Sequence, residues 1–183
     1  MSVRMGVENI NAVMDLEMPL DIELISAAFG DSKKHILKSG NLSYRIKKPK
    51  ASIEIFPSGK ITLSGLINIG DIGSAKAIIM EDLASAGIVP TAPVTPKIYN
   101  IVASGDLGMC LDLPKVFLQL ETDKTEYEPE QFPGIIYKLD RPKVTVLIFN
   151  TGKIICTGAS DPKDILEASD IVNRKILDIV QSV

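Results

Sequence analysis

The sequence predicts an α+β protein built from two tandem copies of one unit, with a single curved antiparallel sheet and helices on its convex side. Three observations carry this: an internal repeat, the same order of elements in each copy, and strand pairs closed by short glycine turns.

The repeat is direct. Asn9-Ile10-Asn11-Ala12-Val13-Met14-Asp15-Leu16 matches Asn100-Ile101-Val102-Ala103-Ser104-Gly105-Asp106-Leu107 at five of eight positions, at an offset of 91. Ser39 to Gly65 matches Phe132 to Gly158 at nine of 27 positions, at an offset of 93. A period near 92 is too long for a solenoid unit, so the chain divides into two repeats, 1–91 and 92–183. Val89 to Pro96 is a proline-rich connector between them.

Each copy opens with an alternating strand. A helix follows, capped by Asp21 over Ile22–Phe29 and by Asp112 over Leu113–Leu120. Strands come next at Tyr44–Ile46, Ala51–Phe56 and Lys60–Leu66, then at Tyr137–Leu139, Val144–Phe149 and Lys153–Ala159. Pro57-Ser58-Gly59 and Asn150-Thr151-Gly152 are turns, where glycine supplies positive φ. Closing helices are expected at Asp71–Ala86 and Pro162–Val180, the second with Asp161 as cap and Pro162 at its first position.

A strand alternates its side chains between two faces. One face holds Ala51, Ile53, Ile55, Ile61 and Leu63, matched by Val144, Val146, Ile148, Ile154 and Cys156; this is the helix-covered core. The other face of the second copy carries Asn100, Val102, Thr145, Leu147, Phe149, Ile155 and Thr157, and no helix remains to cover it. An exposed apolar sheet face marks a contact surface. A dimer interface or a sandwich contact would also use it. Basic residues at its margins favour nucleic acid: Lys138, Arg141, Lys143 and Lys153, matched by Arg45, Lys48, Lys50 and Lys60.

Composition sets limits. Of 183 residues, 45% are apolar and 23% charged, and the net charge is −3. Its distribution is uneven. Eight basic residues and only Glu54 lie between Lys33 and Lys60, whereas five acidic residues and one lysine lie between Glu121 and Glu130. No apolar run approaches the ~18 residues that span a bilayer, and no signal peptide follows Arg4, so a cytoplasmic protein without membrane partners is expected. Cys110 and Cys156 lack zinc-ligand spacing and are expected to be small buried residues; no metal or cofactor is implied. His35, the one histidine, falls in a loop-like lysine-rich stretch without a nucleophile or acid at motif spacing. Gly70-Asp71-Ile72-Gly73 is a turn entering a helix, not a phosphate loop. Asp15 and Asp106 are related by the repeat but make no dyad. The expectation is no enzyme and no small-molecule substrate.

Phe132-Pro133-Gly134-Ile135-Ile136-Tyr137 through Pro142-Lys143, then Leu147-Ile148-Phe149 and Gly152-Lys153 through Thr157-Gly158, resembles the second repeat of archaeal TATA-box-binding proteins. The likeness extends from Val7 to about Val180. It implies a saddle on A·T-rich promoter DNA, bound and bent through the minor groove, in a nucleoid-associated protein of an archaeal cell. Phe132 and Phe149 would be wedges between base steps, and Asn9 and Asn100 would lie near the groove centre, donating to adenine N3 and thymine O2. Val102, Leu147, Ile155 and Thr157 would line the groove. Phe56 would be a wedge of the first copy, and Arg45, Lys50, Lys60, Lys138, Lys143 and Lys153 would meet phosphates. Glu128 and Glu130, flanking Pro129, would bind transcription factor B; an acidic loop can also be simply solubilising. Self-association through the concave face is expected without DNA.

The first copy departs from the pattern. Ser39 stands at a wedge position, Asn11 replaces a valine, Thr62 an apolar residue and Glu54 a leucine. A carboxylate facing the groove calls for a partner, and Arg45 or Lys60 could serve. The alternative function is therefore a divergent member with altered DNA recognition, acting through protein contacts.

Overall fold

The computed structural model describes residues 3–29 and 34–181. The first repeat supplies β1 (Gly6–Asp15), α1 (Ile22–Ala28), β2 (Lys34–Ile36), β3 (Leu42–Lys47), β4 (Lys50–Ile55), β5 (Lys60–Leu66) and α2 (Asp71–Ser85). The second supplies β6 (Lys97–Asp106), α3 (Leu113–Gln119), β7 (Thr125–Glu126), β8 (Gly134–Asp140), β9 (Lys143–Phe149), β10 (Lys153–Ala159) and α4 (Pro162–Gln181). Two compact units result: Asn9–Tyr99, and the chain from Asn100 onward together with the residues before Asn9.

In the first unit the strand order is β2-β3-β4-β5-β1, and in the second β6-β10-β9-β8-β7; the neighbours within each order pair antiparallel. Burial alternates residue by residue, as the sequence pattern requires. Ile53, Ile55, Ile61 and Leu63 are buried in the first unit, and Val144, Val146, Ile148, Ile154 and Cys156 in the second. Helix spacing meets them. On α2, Ile72, Ala75, Ile79 and Leu83 share one face; on α4, Ile165, Ala168, Val172, Ile176 and Ile179 do. Each large aliphatic side chain among them contributes about 1.5–3 kcal/mol by leaving water.

The caps are those expected. Asp21 accepts from the Leu24 amide at 3.1 Å and Asp112 from the Lys115 amide at 3.4 Å. Asp15 and Asp106 close matching turns, accepting from the amides of Glu17 at 2.9 Å and Gly108 at 2.8 Å. Gly59 and Gly152 sit against the Met18 and Met109 carbonyls, where an added Cβ would stand 2.1 Å away. This close approach ties the segment after each unit's first strand to the turn that follows Phe56 or Phe149.

Several expectations need correction. The stretch around His35 is strand β2, paired to β3, rather than a loop, because Lys34–Ile36 finds an antiparallel partner in Leu42–Tyr44. Lys33 lies outside the described residues. Strand β7 likewise interrupts the acidic segment, pairing Thr125 with Tyr137. Cys156 is buried, but Cys110 is exposed, on the link between β6 and α3. Strands β3 and β8 extend beyond the expected Tyr44–Ile46 and Tyr137–Leu139, because their outer residues also find ladder partners in β4 and β9.

Candidate nucleic-acid interface

In each unit the sheet face opposite the helices is half-buried, and the structure places the predicted groove residues on it. In the second unit Asn100, Val102, Leu147, Phe149, Ile155 and Thr157 all lie there. The register lines them up across strands. Leu147 of β9 stands opposite Ile136 of β8 and Ile155 of β10, and Thr157 stands opposite Val102 of β6.

Phe132 and Phe149 meet edge to face at one end of this surface, with ring centroids 5.7 Å apart and planes at 60°. Gly134, paired with Phe149 across the ladder, makes room for them. A Cβ there would lie 2.9 Å from the Ile148 carbonyl oxygen, 3.0 Å from Phe132 Cε1 and 3.2 Å from Phe149 Cδ1. Sequence alone gives Gly134 no role of its own, although it belongs to the Phe-Pro-Gly motif.

The asparagines are held alike. Asn100 Oδ1 accepts from the Gly158 amide at 2.7 Å, and Asn9 Oδ1 from the Gly65 amide at 2.7 Å. Both glycines have positive φ, +98° and +89°, at irregularities in β10 and β5 that turn the amide toward the asparagine. Because a backbone N–H marks the oxygen, the other end of each side chain is its NH2 donor. Thr157 also donates to Asn100 Oδ1, at 3.3 Å. In the first unit the Asn9 NH2 instead donates to Asn11 Oδ1 at 3.1 Å.

The remaining first-unit residues form a more polar face. Phe56 is half-buried and Ser39 exposed. Glu54 takes its hydrogen bond from neither basic candidate: Asn41 donates to Glu54 Oε1 at 2.9 Å. Arg45, Lys50 and Lys60 are exposed, as are Lys143 and Lys153 in the second unit. Lys138 is also exposed but pairs with Glu126 of β7.

The segment before Phe132 is ordered by its own backbone. The Glu128 carbonyl accepts from the amides of Gln131 and Phe132, both at 2.9 Å, leaving Glu128 and Glu130 exposed. Tyr127 packs on Phe117 of α3 at 5.7 Å, and a cleft of about 410 Å³ opens between this segment and the start of α3. Nearby, Tyr137 donates to Glu121 Oε2 at 2.7 Å and Lys175 pairs with the same carboxylate. Lys175 first, then Tyr137, holds the Glu121 carboxyl down to about 2.

Among the described residues no group of three or more His, Cys, Asp or Glu could hold a metal ion, and no helix is long and apolar enough to cross a membrane.

Two α+β repeats, each with helices on one sheet face and amide, aliphatic and aromatic side chains on the other, define a two-repeat α+β protein with an open sheet face in each unit. The family described as Transcription factor TFIID (or TATA-binding protein, TBP) matches residues 4–86 and again 95–180, and the chain belongs to it. It is 35% identical to TATA-box-binding protein 1 of Methanosarcina acetivorans over 170 residues, 93% of each chain. It is 36% identical to the TATA-box-binding protein of Archaeoglobus fulgidus over 173 residues, 94% of each chain. The structure of Methanococcus jannaschii TBP superposes with a TM-score of 0.84 at 32% identity, covering 96% of this chain and 99% of that one. The fold is thus that of the family, which is one of transcription factors and not of enzymes.

Proposed function

We propose that this chain is a general transcription initiation factor that binds A·T-rich promoter DNA through the minor groove and bends it. Repeats 1–91 and 92–183 each cover half of the bound site. The observation that supports this most is the second unit's open face. It carries two aromatic rings at one end, an aliphatic row in the middle, and the Asn100 NH2 with its oxygen already satisfied. Minor-groove edges of A·T pairs present only acceptors, which suit a free amide donor and an apolar floor. The relatives carry the name TATA-box-binding protein, which supports the same site class.

On this reading Phe132 and Phe149 unstack a base step, and exposed Lys143 and Lys153 meet phosphates. Glu128 and Glu130 offer an acidic surface to transcription factor B. The test is the shift of an A·T-rich duplex across a salt series. Specific binding that weakens steeply with salt is expected, and Lys143→Ala with Lys153→Ala should reduce the logarithmic salt slope by about 2. A chain that binds A·T-rich and scrambled duplexes equally well would overturn the proposal.

A further inference from the structure

We infer that Glu54 is a specificity residue that makes the first unit select a G·C pair within an otherwise A·T-rich site, by accepting from the guanine 2-amino group. The inference rests on the minor-groove binding proposed above.

Three first-unit residues differ together from their second-unit counterparts. At the offset of 93, Ser39 stands for Phe132, Asn41 for Gly134 and Glu54 for Leu147. Gly134 leaves space that two rings occupy. With serine at position 39, the space falls to Asn41, which is 8% exposed and directs its amide at Glu54 Oε1, 2.9 Å away. The asparagine thus replaces the glycine and orients the carboxylate. Changes that had merely eroded an interface would not supply each other's partners.

The neighbours change in step. Glu54 stands directly opposite Ser43 of β3 and Thr62 of β5, whereas Leu147 stands opposite Ile136 and Ile155. A row of three aliphatic side chains in one unit is a row of three polar ones at the same register in the other. Ser43 and Thr62 are half-buried on the same open face as Glu54.

Hydrogen-bond capacity then decides the ligand. An ionised carboxylate only accepts. Across the minor groove an A·T or T·A pair also only accepts, so Glu54 facing either would find no donor on the base edge and two repelling lone pairs. The guanine 2-amino group is the one base-edge donor in that groove. It needs an acceptor that the Ile136–Leu147–Ile155 row cannot offer and the Ser43–Glu54–Thr62 row can. Repulsion from phosphates is offset by Arg45, Lys47 and Lys60, all exposed and sharing that face by strand alternation.

The experiment measures affinity for A·T-rich duplexes in which a single G·C pair is stepped through the site, each compared with its inosine·C counterpart. Inosine keeps the pair and removes only the 2-amino group. For the wild-type chain, guanine should bind roughly tenfold tighter than inosine at one position confined to one half of the site. In the other half, inosine should be preferred. Glu54→Leu should abolish or invert the guanine preference, and Glu54→Gln, which leaves shape and fold in place, should reduce it. A wild-type chain that binds the A·T duplex but favours inosine at every position would overturn G·C selection and leave the proposed function standing. So would a guanine preference that survives Glu54→Leu. A chain that binds none of the duplexes specifically would overturn both.

Discussion

The NH2 of Asn9 donates to Asn11 Oδ1 at 3.1 Å, whereas its counterpart Asn100 has Val102 two residues on, with no side-chain acceptor to offer. The two amides share one kind of anchor, a glycine N–H at 2.7 Å, and differ in what occupies their donor end.

Asn11→Val is therefore expected to release the Asn9 amide and to tighten binding to an all-A·T duplex by ~3–10-fold, the worth of one net hydrogen bond. The reciprocal change, Val102→Asn, should weaken binding by a similar factor. Equilibrium titration of one duplex with the wild-type chain and the two variants checks both. Unchanged affinities would remove the asymmetry from the functional account.

Gly134→Ala is expected to shift Phe132 and Phe149 by a few tenths of an ångström and to press on the β9 backbone, because the new Cβ would lie 2.9 Å from the Ile148 carbonyl oxygen and 3.0 and 3.2 Å from ring carbons. DNA bending should fall, by less than in Phe149→Ala, while Ser39→Ala leaves it unchanged. Energy transfer between dyes on the duplex ends reads the angle. Equal bending by Phe149→Ala and Ser39→Ala would show that the aromatic pair is not the wedge.

Glu128 and Glu130 project from a turn that the Glu128 carbonyl closes on the Phe132 amide at 2.9 Å. The double change Glu128→Lys, Glu130→Lys should not weaken duplex binding, because both side chains are exposed and outside the open sheet face and the added positive charge favours phosphates. Complex formation with transcription factor B on the promoter duplex should fall about tenfold or more. Unchanged recruitment would make the acidic segment a solvated surface only.

Glu121 ties the segment after α3 to β8 and α4 through Tyr137 and Lys175. Its carboxyl sits at about 2 in the folded protein against an ordinary 4.5, so the unfolded chain takes up the proton first. The stabilisation is complete above about 4.5 and is lost as pH falls toward 2. With the Glu121 side chain 42% exposed, solvent screening limits it to about 1 kcal/mol. Glu121→Gln should lower Tm by a few degrees near neutral pH and by much less at about pH 3. An equal loss at both values would assign the effect to packing.

The two cysteines should separate chemically. Cys110 is exposed, whereas burial pushes the Cys156 thiol up to about 12. A thiol reagent should label one group in the native protein and two after denaturation. Labelling of both at equal rates in the native state would contradict the burial of β10.

The repeat, the two-faced strands and the helix caps are legible in the sequence, because they follow from local geometry: a strand alternates with period two whatever packs on it. The departures at Ser39, Asn11, Thr62 and Glu54 are visible for the same reason, once the offset aligns them. What each polar side chain bonds to is not. Asn41 reaches Glu54 across a hairpin, 13 residues away, and only the β3–β4 register brings them together. Periodicity assigns a face and not a partner, so it leaves Arg45 and Lys60 as equally open choices. Strands β2 and β7 escape a sequence reading because two or three residues carry too little pattern to stand out; they are strands only through the ladders of β3 and β8. Cys110 is misplaced by residue type, because cysteine is usually buried, and its exposure is settled by the path of the chain from β6 to α3. Sequence thus determined which residues lie on the open face, and tertiary contacts decided which of their hydrogen-bonding atoms remain unpaired there.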